Sequence, residues 1–263
     1  MIGTDMLLAI DSGNTNIVFA VFDDDGTVMG EWRSSTDVNK TADEFGIWLE
    51  QLIHLQGLAR TDITSAIVST VVPATLFSLK LLCHKYFDCT PLVIGEPDVN
   101  LGIEVQVDRP DDVGADRLVN TVAAHERYGG PLIVVDFGTA TTFDVVGADG
   151  SYQGGVIAPG VNLSLEALHQ AAARLPRIAV ERPKQIIGKA TVPAMQTGIF
   201  WGYVGLIEGL VSRIRAEYGA NDMPVIATGG LAPLFAKASD TIRETDADLT
   251  LRGLFTINQR NAT

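Results

Sequence analysis

The sequence predicts an α/β protein built from two related halves, with mixed β-sheets flanked by helices. The first observation is an internal repeat. Residues 7–26 and residues 132–150 each contain an apolar run, an Asp, a Gly, small polar residues, a second apolar strand and an acidic turn. The second observation is that the first half opens with hairpin strands and then alternates strands with helices. Because a repeat near half the chain length indicates duplicated units, we expect two domains that face each other.

The repeat keeps its polar residues in register. Asp11 and Asp136 are 125 residues apart, and the same distance separates Gly13 from Gly138. This equal spacing predicts one hairpin of the same kind in each half of the chain. The predicted N-terminal and C-terminal domains are residues 1–117 and residues 118–263.

The composition is that of an ordinary globular chain, with 46% hydrophobic and 19% charged residues. A net charge of −13 argues against a nucleic-acid partner, which would favour a basic surface. The absence of any run of 18 apolar residues argues against a membrane span, and we interpret residues 1–5 as a short extension rather than a secretory signal. Two cysteines, Cys83 and Cys89, fit a reducing compartment better than a disulfide framework. We therefore expect a cytoplasmic protein that binds neither membranes nor nucleic acid.

The first half has the pattern β-β-β-α-β-α-β. Thr41 and Glu44 have the spacing of a capping box, which predicts that a helix begins there. Apolar residues then recur at helical spacing and indicate a core-facing stripe. That stripe is predicted to be Phe45, Trp48, Leu49 and Leu52. The predicted strands are residues 7–11, 15–22, 28–33, 63–69 and 92–94, and the second predicted helix is residues 73–86.

The second half begins with a predicted helix over residues 118–127. The continuous apolar run at residues 132–135 is typical of a buried strand and predicts a central strand that ends at Asp136. A tight turn is predicted to connect it to the next strand. Glycine-rich and small-residue turns close two later strands. Those strands are predicted at residues 151–160 and 225–230, and further helices at residues 164–173 and 194–216.

Four glycines lie on one of these helices. In the interior of a helix each costs about 1 kcal/mol relative to Ala. Such a face lets another backbone approach closely, either within the chain or in a second subunit. The four residues are Gly198, Gly202, Gly205 and Gly209.

The two repeated hairpins are candidate phosphate sites. In each, a carboxylate at the end of a strand is followed by glycine and small hydroxyl residues. Mg²⁺ prefers such hard oxygen ligands, and the N–H groups of an exposed turn can hold phosphate oxygens. A polar hairpin without a ligand is the alternative for either turn taken alone. The repetition of the pattern favours phosphate binding.

Asp116 and Arg117 stand next to each other in the first turn of the predicted helix 118–127. A carboxylate there interacts favourably with the helix dipole, by about 0.3–1 kcal/mol, but a cation does not. Arg117 therefore indicates a role outside the helix. An ionised Asp beside an Arg can deprotonate a substrate hydroxyl while the Arg anchors an anion, which is what phosphoryl transfer requires.

Taken together, the motifs resemble the type III pantothenate kinase family. The likeness extends over nearly the whole chain, with the motifs in order. It implies two RNase H-like domains of the actin, sugar-kinase and Hsp70 superfamily, with ATP in the cleft between them. It also implies ATP-dependent phosphorylation of pantothenate to 4′-phosphopantothenate, the first step of coenzyme A biosynthesis. The motifs are Asp11-Ser12-Gly13-Asn14-Thr15-Asn16, Gly114-Ala115-Asp116-Arg117, Asp136-Phe137-Gly138-Thr139-Ala140-Thr141 and Gly154-Gly155.

The resemblance also implies roles for matching residues. Asp116 would be the proton acceptor, Asp11 would position Mg²⁺ through water, and Asp136 would ligate a monovalent cation, K⁺ or NH₄⁺. Family members are cytoplasmic homodimers. The implied ATP contacts are Asp11, Ser12, Gly13, Asn14, Thr15, Asn16, Ile17, Val18 and Thr139. The implied pantothenate contacts are Gly114, Ala115, Asp116, Arg117 and Thr191.

Two positions depart from the family pattern, and two alternatives stay open. Many relatives have Tyr at the pantothenate-contacting position of Val107, and many have Asn or Ser at the position of Ala190. One alternative is a non-catalytic regulator of gene expression, although the three carboxylates expected of a kinase are all present. The other is a kinase of the same superfamily that phosphorylates a different small hydroxyl compound.

Overall fold

The computed structural model describes residues 5–172 and 174–262, and these residues form two compact units. Unit 1 contains residues 5–104, Asp108–Ala123 and 249–262. Unit 2 contains Val105–Val107 and Ala124–Asp248. The domain boundary that the sequence predicts after residue 117 remains a prediction.

Unit 1 is built on a five-stranded mixed sheet. Three strands form an antiparallel meander, and two more extend the sheet in parallel with the first. The spatial order is β3-β2-β1-β4-β5. The strands are β1 (Met6–Ser12), β2 (Asn16–Phe22), β3 (Val28–Ser35), β4 (Ile63–Thr70) and β5 (Leu92–Val93).

Helices cover both faces of this sheet, because alternate residues of its central strands are apolar on both sides. On one face pack α1 (Ala42–Leu55) and α2 (Pro73–Phe87), and the Thr41–Glu44 capping box is confirmed. The other face is covered by α7 (Leu249–Asn261) and the beginning of α3 (Ala115–Tyr128). Of the predicted α1 stripe, Phe45 and Leu49 are buried and the other two residues are half-buried.

Unit 2 repeats the arrangement of unit 1. Its sheet has the order β8-β7-β6-β9-β10, again with an antiparallel meander extended by two parallel strands. Strand for strand this matches unit 1, so the internal repeat predicted from the sequence is confirmed at the level of topology. The strands are β6 (Leu132–Phe137), β7 (Ala140–Val146), β8 (Tyr152–Pro159), β9 (Val225–Gly229) and β10 (Glu244–Thr245).

One face of the second sheet packs on a long helix, α5 (Thr191–Tyr218), and the shorter α6 (Ala232–Ala236). The ring of Phe235 stacks on two other rings in this core. Its centroid is 5.1 Å from that of Phe137 and 5.5 Å from that of Phe200. A further helix, α4 (Val161–Ala171), starts three residues before its predicted beginning. Its predicted end, Ala173, lies outside the described residues.

No helix or strand is predicted from the sequence beyond residue 230. The structure has α6, β10 and α7 in that region. The missed signal is the apolar spacing of Leu251, Leu254 and Ile257, all of which are buried. Gly253 lies so close to Val119 that an added Cβ would be 2.4 Å from the Val119 carbonyl oxygen. α7 therefore belongs to the core of unit 1, although it is last in the chain.

Candidate active site

The first candidate phosphate turn joins β1 to β2. The Gly13 N–H donates to the Asn16 carbonyl oxygen over 3.0 Å, which closes the turn. The side chains of Asn14, Thr15 and Asn16 are exposed, whereas Ile17 is buried in the sheet and Val18 is half-buried. The turn thus presents short polar groups and backbone on a rigid hairpin, as a phosphate site requires.

A small network of hydroxyl groups lies beneath this turn. Ser12 is buried, and its Oγ is 3.0 Å from Oγ1 of Thr75. Thr75 in turn donates to the Val72 carbonyl oxygen over 2.9 Å, at the start of α2. Ser12 therefore fastens the end of β1 to a helix, so its role in the structure is support of the turn.

Asp11 lies on β1, directly opposite Val18 of β2 and Ser69 of β4. Burial is the largest cause that raises the pKa of Asp11, to about 7, and the charge of Asp116 raises it further. Ser69 and Arg33 act in the opposite direction. Ser69 lies beside Asp11, but its hydroxyl makes no hydrogen bond of regular geometry among the described residues. A carboxylate that is this hard to ionise alone is well suited to face a cation.

Asp116 stands in the first turn of α3, as the sequence predicts. Its Oδ1 accepts a hydrogen bond from the N–H of Arg117 over 2.8 Å. Gly114 makes room for the carboxylate, because an added Cβ would be 2.7 Å from Oδ1 of Asp116. Burial raises the pKa of Asp116, while the N–H and the charge of Arg117 lower it.

Asp11 and Asp116 are brought together within unit 1. They are far apart in the sequence, yet close enough that the charge of one raises the pKa of the other. Two carboxylates with raised pKa values in one place are a feature of sites that move protons or bind cations. The predicted neighbours of Asp116, the half-buried Ala115 and Arg117, lie on the same turn of α3.

The second candidate phosphate turn joins β6 to β7 in unit 2. The Gly138 N–H donates to the Ala140 carbonyl oxygen over 3.0 Å, so this turn is one residue shorter than the first. Thr139 is exposed at its tip. Asp136 is half-buried on β6 opposite Thr228 of β9, which repeats the pairing of Asp11 with Ser69.

Gly229 adjoins Asp136 with a backbone that suits only glycine. Its φ is +88°, and an added Cβ would be 2.7 Å from Oδ1 of Asp136. The small-residue turn after β9 is therefore needed to make room for the Asp136 carboxylate.

The two remaining predicted pantothenate contacts lie in unit 2. Val107 is half-buried beside Gly154. A Cβ added at Gly154 would be 3.6 Å from Cγ1 of Val107. Thr191 is the first residue of α5 and is exposed. It lines a mostly apolar cavity of about 460 Å³ together with Leu168, Met195 and Ile199. Ala190 is the N-cap of α5 and has no side chain to cap it.

The oxygen ligands present fit a divalent metal that enters with a phosphate ligand. Among the described residues, no group of three or more His, Cys, Asp or Glu side chains could hold a metal by itself. Mg²⁺ typically keeps several waters and is bound by one or two carboxylates together with substrate phosphates. Asp11 beside an exposed turn provides this kind of partial site.

Comparison with known proteins identifies the family. The family described as type III pantothenate kinase matches residues 7–213. A type III pantothenate kinase of Paramagnetospirillum magneticum is 68% identical over 258 residues, with 98% of each chain covered. The chain belongs to the type III pantothenate kinase family. A second relative of the same description, from Rhodospirillum rubrum, is 66% identical and covers 97% of this chain and 99% of its own.

Solved structures confirm the fold. A candidate 2-dehydro-3-deoxygalactonokinase from Sinorhizobium meliloti aligns with a TM-score of 0.61 at 17% identity, over 97% of this chain and 96% of its own. The predicted α/β fold with two mixed sheets is thus confirmed. As a member of this kinase family, the chain is a phosphotransferase. In the described part of the chain no helix has the length and hydrophobicity to cross a membrane.

Proposed function

We propose that the protein transfers the γ-phosphoryl group of ATP to the hydroxyl group of pantothenate and so forms 4′-phosphopantothenate, the first step of coenzyme A biosynthesis. The observation that carries this proposal is membership of the family over nearly the whole chain, at 68% and 66% identity to two relatives of that description. A kinase of this family uses ATP with a divalent metal.

In the proposed reaction Asp116 accepts the proton of the pantothenate hydroxyl as its oxygen attacks the γ-phosphorus. A new P–O bond forms while the bond to the β-phosphate oxygen breaks and ADP leaves. The burial that raises the pKa of Asp116 supports this role, because a carboxylate with a raised pKa is a stronger base. Arg117 anchors the anionic end of the substrate, and Gly114 and Ala115 contact it through the backbone.

ATP binds through the residues from Asp11 to Val18 and through Thr139 in this proposal. The exposed backbone of the Gly13–Asn16 turn supports phosphate binding. Mg²⁺, when bound with ATP, neutralises phosphate charge and draws electron density from the γ-phosphorus. Asp11 holds it through water, and the raised pKa of Asp11 supports a position opposite a cation.

A monovalent cation, K⁺ or NH₄⁺, is proposed next to Asp136. The support is a half-buried carboxylate at the end of β6, adjacent to the second turn. A monovalent ion balances phosphate charge without the high dehydration cost of a second Mg²⁺. Thr191 and Val107 complete the contacts to pantothenate in this proposal, with Val107 contributing apolar contact instead of the hydroxyl of a Tyr.

The protein is also proposed to act as a cytoplasmic homodimer that binds neither nucleic acid nor membranes. An added Cβ at Gly198, Gly202 or Gly205 would meet nothing within 4 Å, so these glycines are open to another backbone. The two free cysteines support a reducing compartment, and the net charge of −13 disfavours nucleic acid.

The test is ADP release by the purified protein in a coupled assay, with Mg-ATP and pantothenate, in buffers with K⁺, with NH₄⁺ or with Na⁺ alone. We expect turnover that depends on pantothenate and on K⁺ or NH₄⁺. Full activity with Na⁺ alone would remove the role given to Asp136. No turnover of pantothenate with any cation would overturn the proposed activity and favour a regulatory protein.

A further inference from the structure

In each unit, the residue after the third strand of the meander holds the candidate phosphate turn. Thr36 follows β3, and its N–H donates to the Thr15 carbonyl oxygen over 2.9 Å. Gly160 follows β8, and its N–H donates to the Thr139 carbonyl oxygen over 3.1 Å. The same backbone hydrogen bond therefore occurs in both halves of the repeat.

The two units differ in the side chain at this position. Thr36 has a hydroxyl group, and its Oγ1 donates to the Gly13 carbonyl oxygen over 2.6 Å. Gly160 has no side chain, and an added Cβ would be 2.2 Å from the Thr139 carbonyl oxygen. The shorter second turn lies directly against the backbone, whereas the longer first turn leaves a space that the Thr36 side chain fills.

The hydroxyl bond of Thr36 controls the direction of one N–H group in the first turn. The carbonyl of Gly13 and the N–H of Asn14 belong to the same planar trans peptide, so they point in opposite directions. When Thr36 holds the carbonyl on the side of β3, the Asn14 N–H is directed away from β3. Gly13 needs this restraint, because a glycine peptide can otherwise rotate with little steric penalty.

We propose that Thr36 is a positioning residue for ATP. Its hydroxyl holds the Gly13–Asn14 peptide so that the Asn14 N–H is ready to donate to a phosphate oxygen, and its N–H fixes the other end of the turn at Thr15. Thr36 itself is half-buried behind the turn and acts through the backbone. The inference rests on the proposed function, since it requires that the Gly13–Asn16 turn binds ATP.

Two substitutions separate the hydroxyl from the packing of Thr36. Thr36→Val keeps the shape and removes the hydrogen bond, whereas Thr36→Ser keeps the hydroxyl and removes a methyl group. Thr61→Val is the matched control, because Thr61 is exposed and far along the chain from the turn. Each variant is measured for hydrogen exchange of residues 13–16 without nucleotide, for the Kd of Mg-ATP, and for the KM values of ATP and pantothenate.

For Thr36→Val we expect faster exchange in residues 13–16 and a Kd and KM for ATP about five- to tenfold higher, as for the loss of one hydrogen bond. The KM of pantothenate should stay within about twofold, and Thr36→Ser and Thr61→Val should resemble the wild type in all measurements. An ATP Kd within about twofold of wild type for Thr36→Val would overturn the proposal. So would equal losses in Thr36→Ser and Thr36→Val, which would assign the effect to packing.

The exchange measurement keeps this proposal separate from the proposed function. A wild-type protein that fails to bind Mg-ATP would overturn the proposed function and the ATP role of Thr36 with it. Unchanged exchange of residues 13–16 in Thr36→Val would overturn the positioning role alone, in a wild-type protein that binds ATP normally.

Discussion

At the scale of single residues, the candidate site contains two carboxylates whose charge is unfavourable to bury. Asp11 and Asp116 both have raised pKa values, and burial is the largest cause for each. In the described part of the chain, neither carboxylate lies within salt-bridge distance of a Lys or Arg side chain. In the proposed function, bound substrate and metal would stabilise the ionised forms of both carboxylates, so substitution and pH should affect both residues.

Asp116→Asn should decrease kcat by about 10²–10⁴-fold, the usual contribution of a general base. The melting temperature should change little, because the Asn Oδ1 can still accept the hydrogen bond from the Arg117 N–H. The control is Asp111→Asn, an exposed neighbour on the segment that leads into α3. A kcat within about threefold of wild type would remove Asp116 from the catalytic residues. A parallel loss of folding would be seen in the melting temperature.

Asp11→Asn should stabilise the protein without nucleotide, and more so at alkaline pH. Folded Asp11 keeps its proton up to about pH 7, whereas the unfolded chain releases it near its ordinary pKa of 3.8. Between these values the folded state binds more protons, so this group makes stability decrease as pH rises from about 4 to 7. The amide does not ionise, so the variant escapes this decrease.

The measurement is the melting temperature of wild type and variant at pH 5 and pH 8 without nucleotide. At pH 8 we expect the variant to melt at least about 2–4 °C higher, the shift that 1 kcal/mol produces in domains of this size. Asp24→Asn, at an exposed hairpin tip, should show no such difference. An equal offset at both pH values would contradict the assignment of the raised pKa to Asp11.

At the scale of elements, the two candidate phosphate turns differ because different residues pack against them. The β6–β7 turn packs directly on Gly160, which is also the N-cap of α4. Tyr203 of α5 reinforces this point, since its hydroxyl is 2.9 Å from the Pro159 carbonyl oxygen and 2.6 Å from Oγ of Ser164. The end of β8, the start of α4 and the middle of α5 thus hold Thr139 in place.

Gly160→Ala should displace the second turn. The added Cβ would stand 2.2 Å from the Thr139 carbonyl oxygen, which is backbone and cannot rotate away. Overpacking of this kind typically costs about 1–3 kcal/mol of folding free energy. We expect a lower melting temperature and a KM for ATP at least about tenfold higher, which follows if Thr139 contacts ATP.

The control for this substitution is Asn162→Ala, two residues further along on the exposed side of α4. It should leave both the melting temperature and the KM of ATP close to wild type. A Gly160→Ala protein with a normal KM for ATP would show that the position of Thr139 does not matter to nucleotide binding.

At the scale of the whole molecule, α5 has a face made of glycine. Close internal packing does not require glycine at Gly198, Gly202 or Gly205, because an added Cβ at each would meet no described atom within 4 Å. A helix that keeps such glycines despite about 1 kcal/mol lost at each is explained if a second chain packs there. The exposed Thr191 lies at the start of the same helix.

Light scattering at micromolar concentration should therefore report about twice the chain mass of 28.1 kDa. Gly202→Leu should convert the protein to a monomer, because the larger side chain separates the closely packed helices. Gln51→Leu, which adds a leucine to an exposed position of α1, should leave the mass unchanged. A wild-type monomer would contradict the dimer.

Local patterns in the sequence were sufficient to predict most of the fold. Strand periodicity, the capping box at Thr41 and the spacing of Asp11 and Asp136 each act over a few residues or repeat at a fixed interval. Hence the two equivalent sheets and the position of Asp116 in the first turn of α3 could be predicted. The family resemblance, now confirmed, also rests on short motifs that are read without knowledge of packing.

The tertiary structure alone decided which distant segments come together. The return of α7 to unit 1 depends on apolar contacts of Leu251 and Leu254 with β1 and α3, and no local pattern specifies that partner. The effect of the Asp116 charge on the pKa of Asp11 likewise requires the fold to bring β1 close to the start of α3. The position of Thr36 behind the first turn could not be predicted for the same reason. A threonine after a strand is ordinary in sequence, and its role follows from a 2.6 Å contact with Gly13, which is 23 residues away.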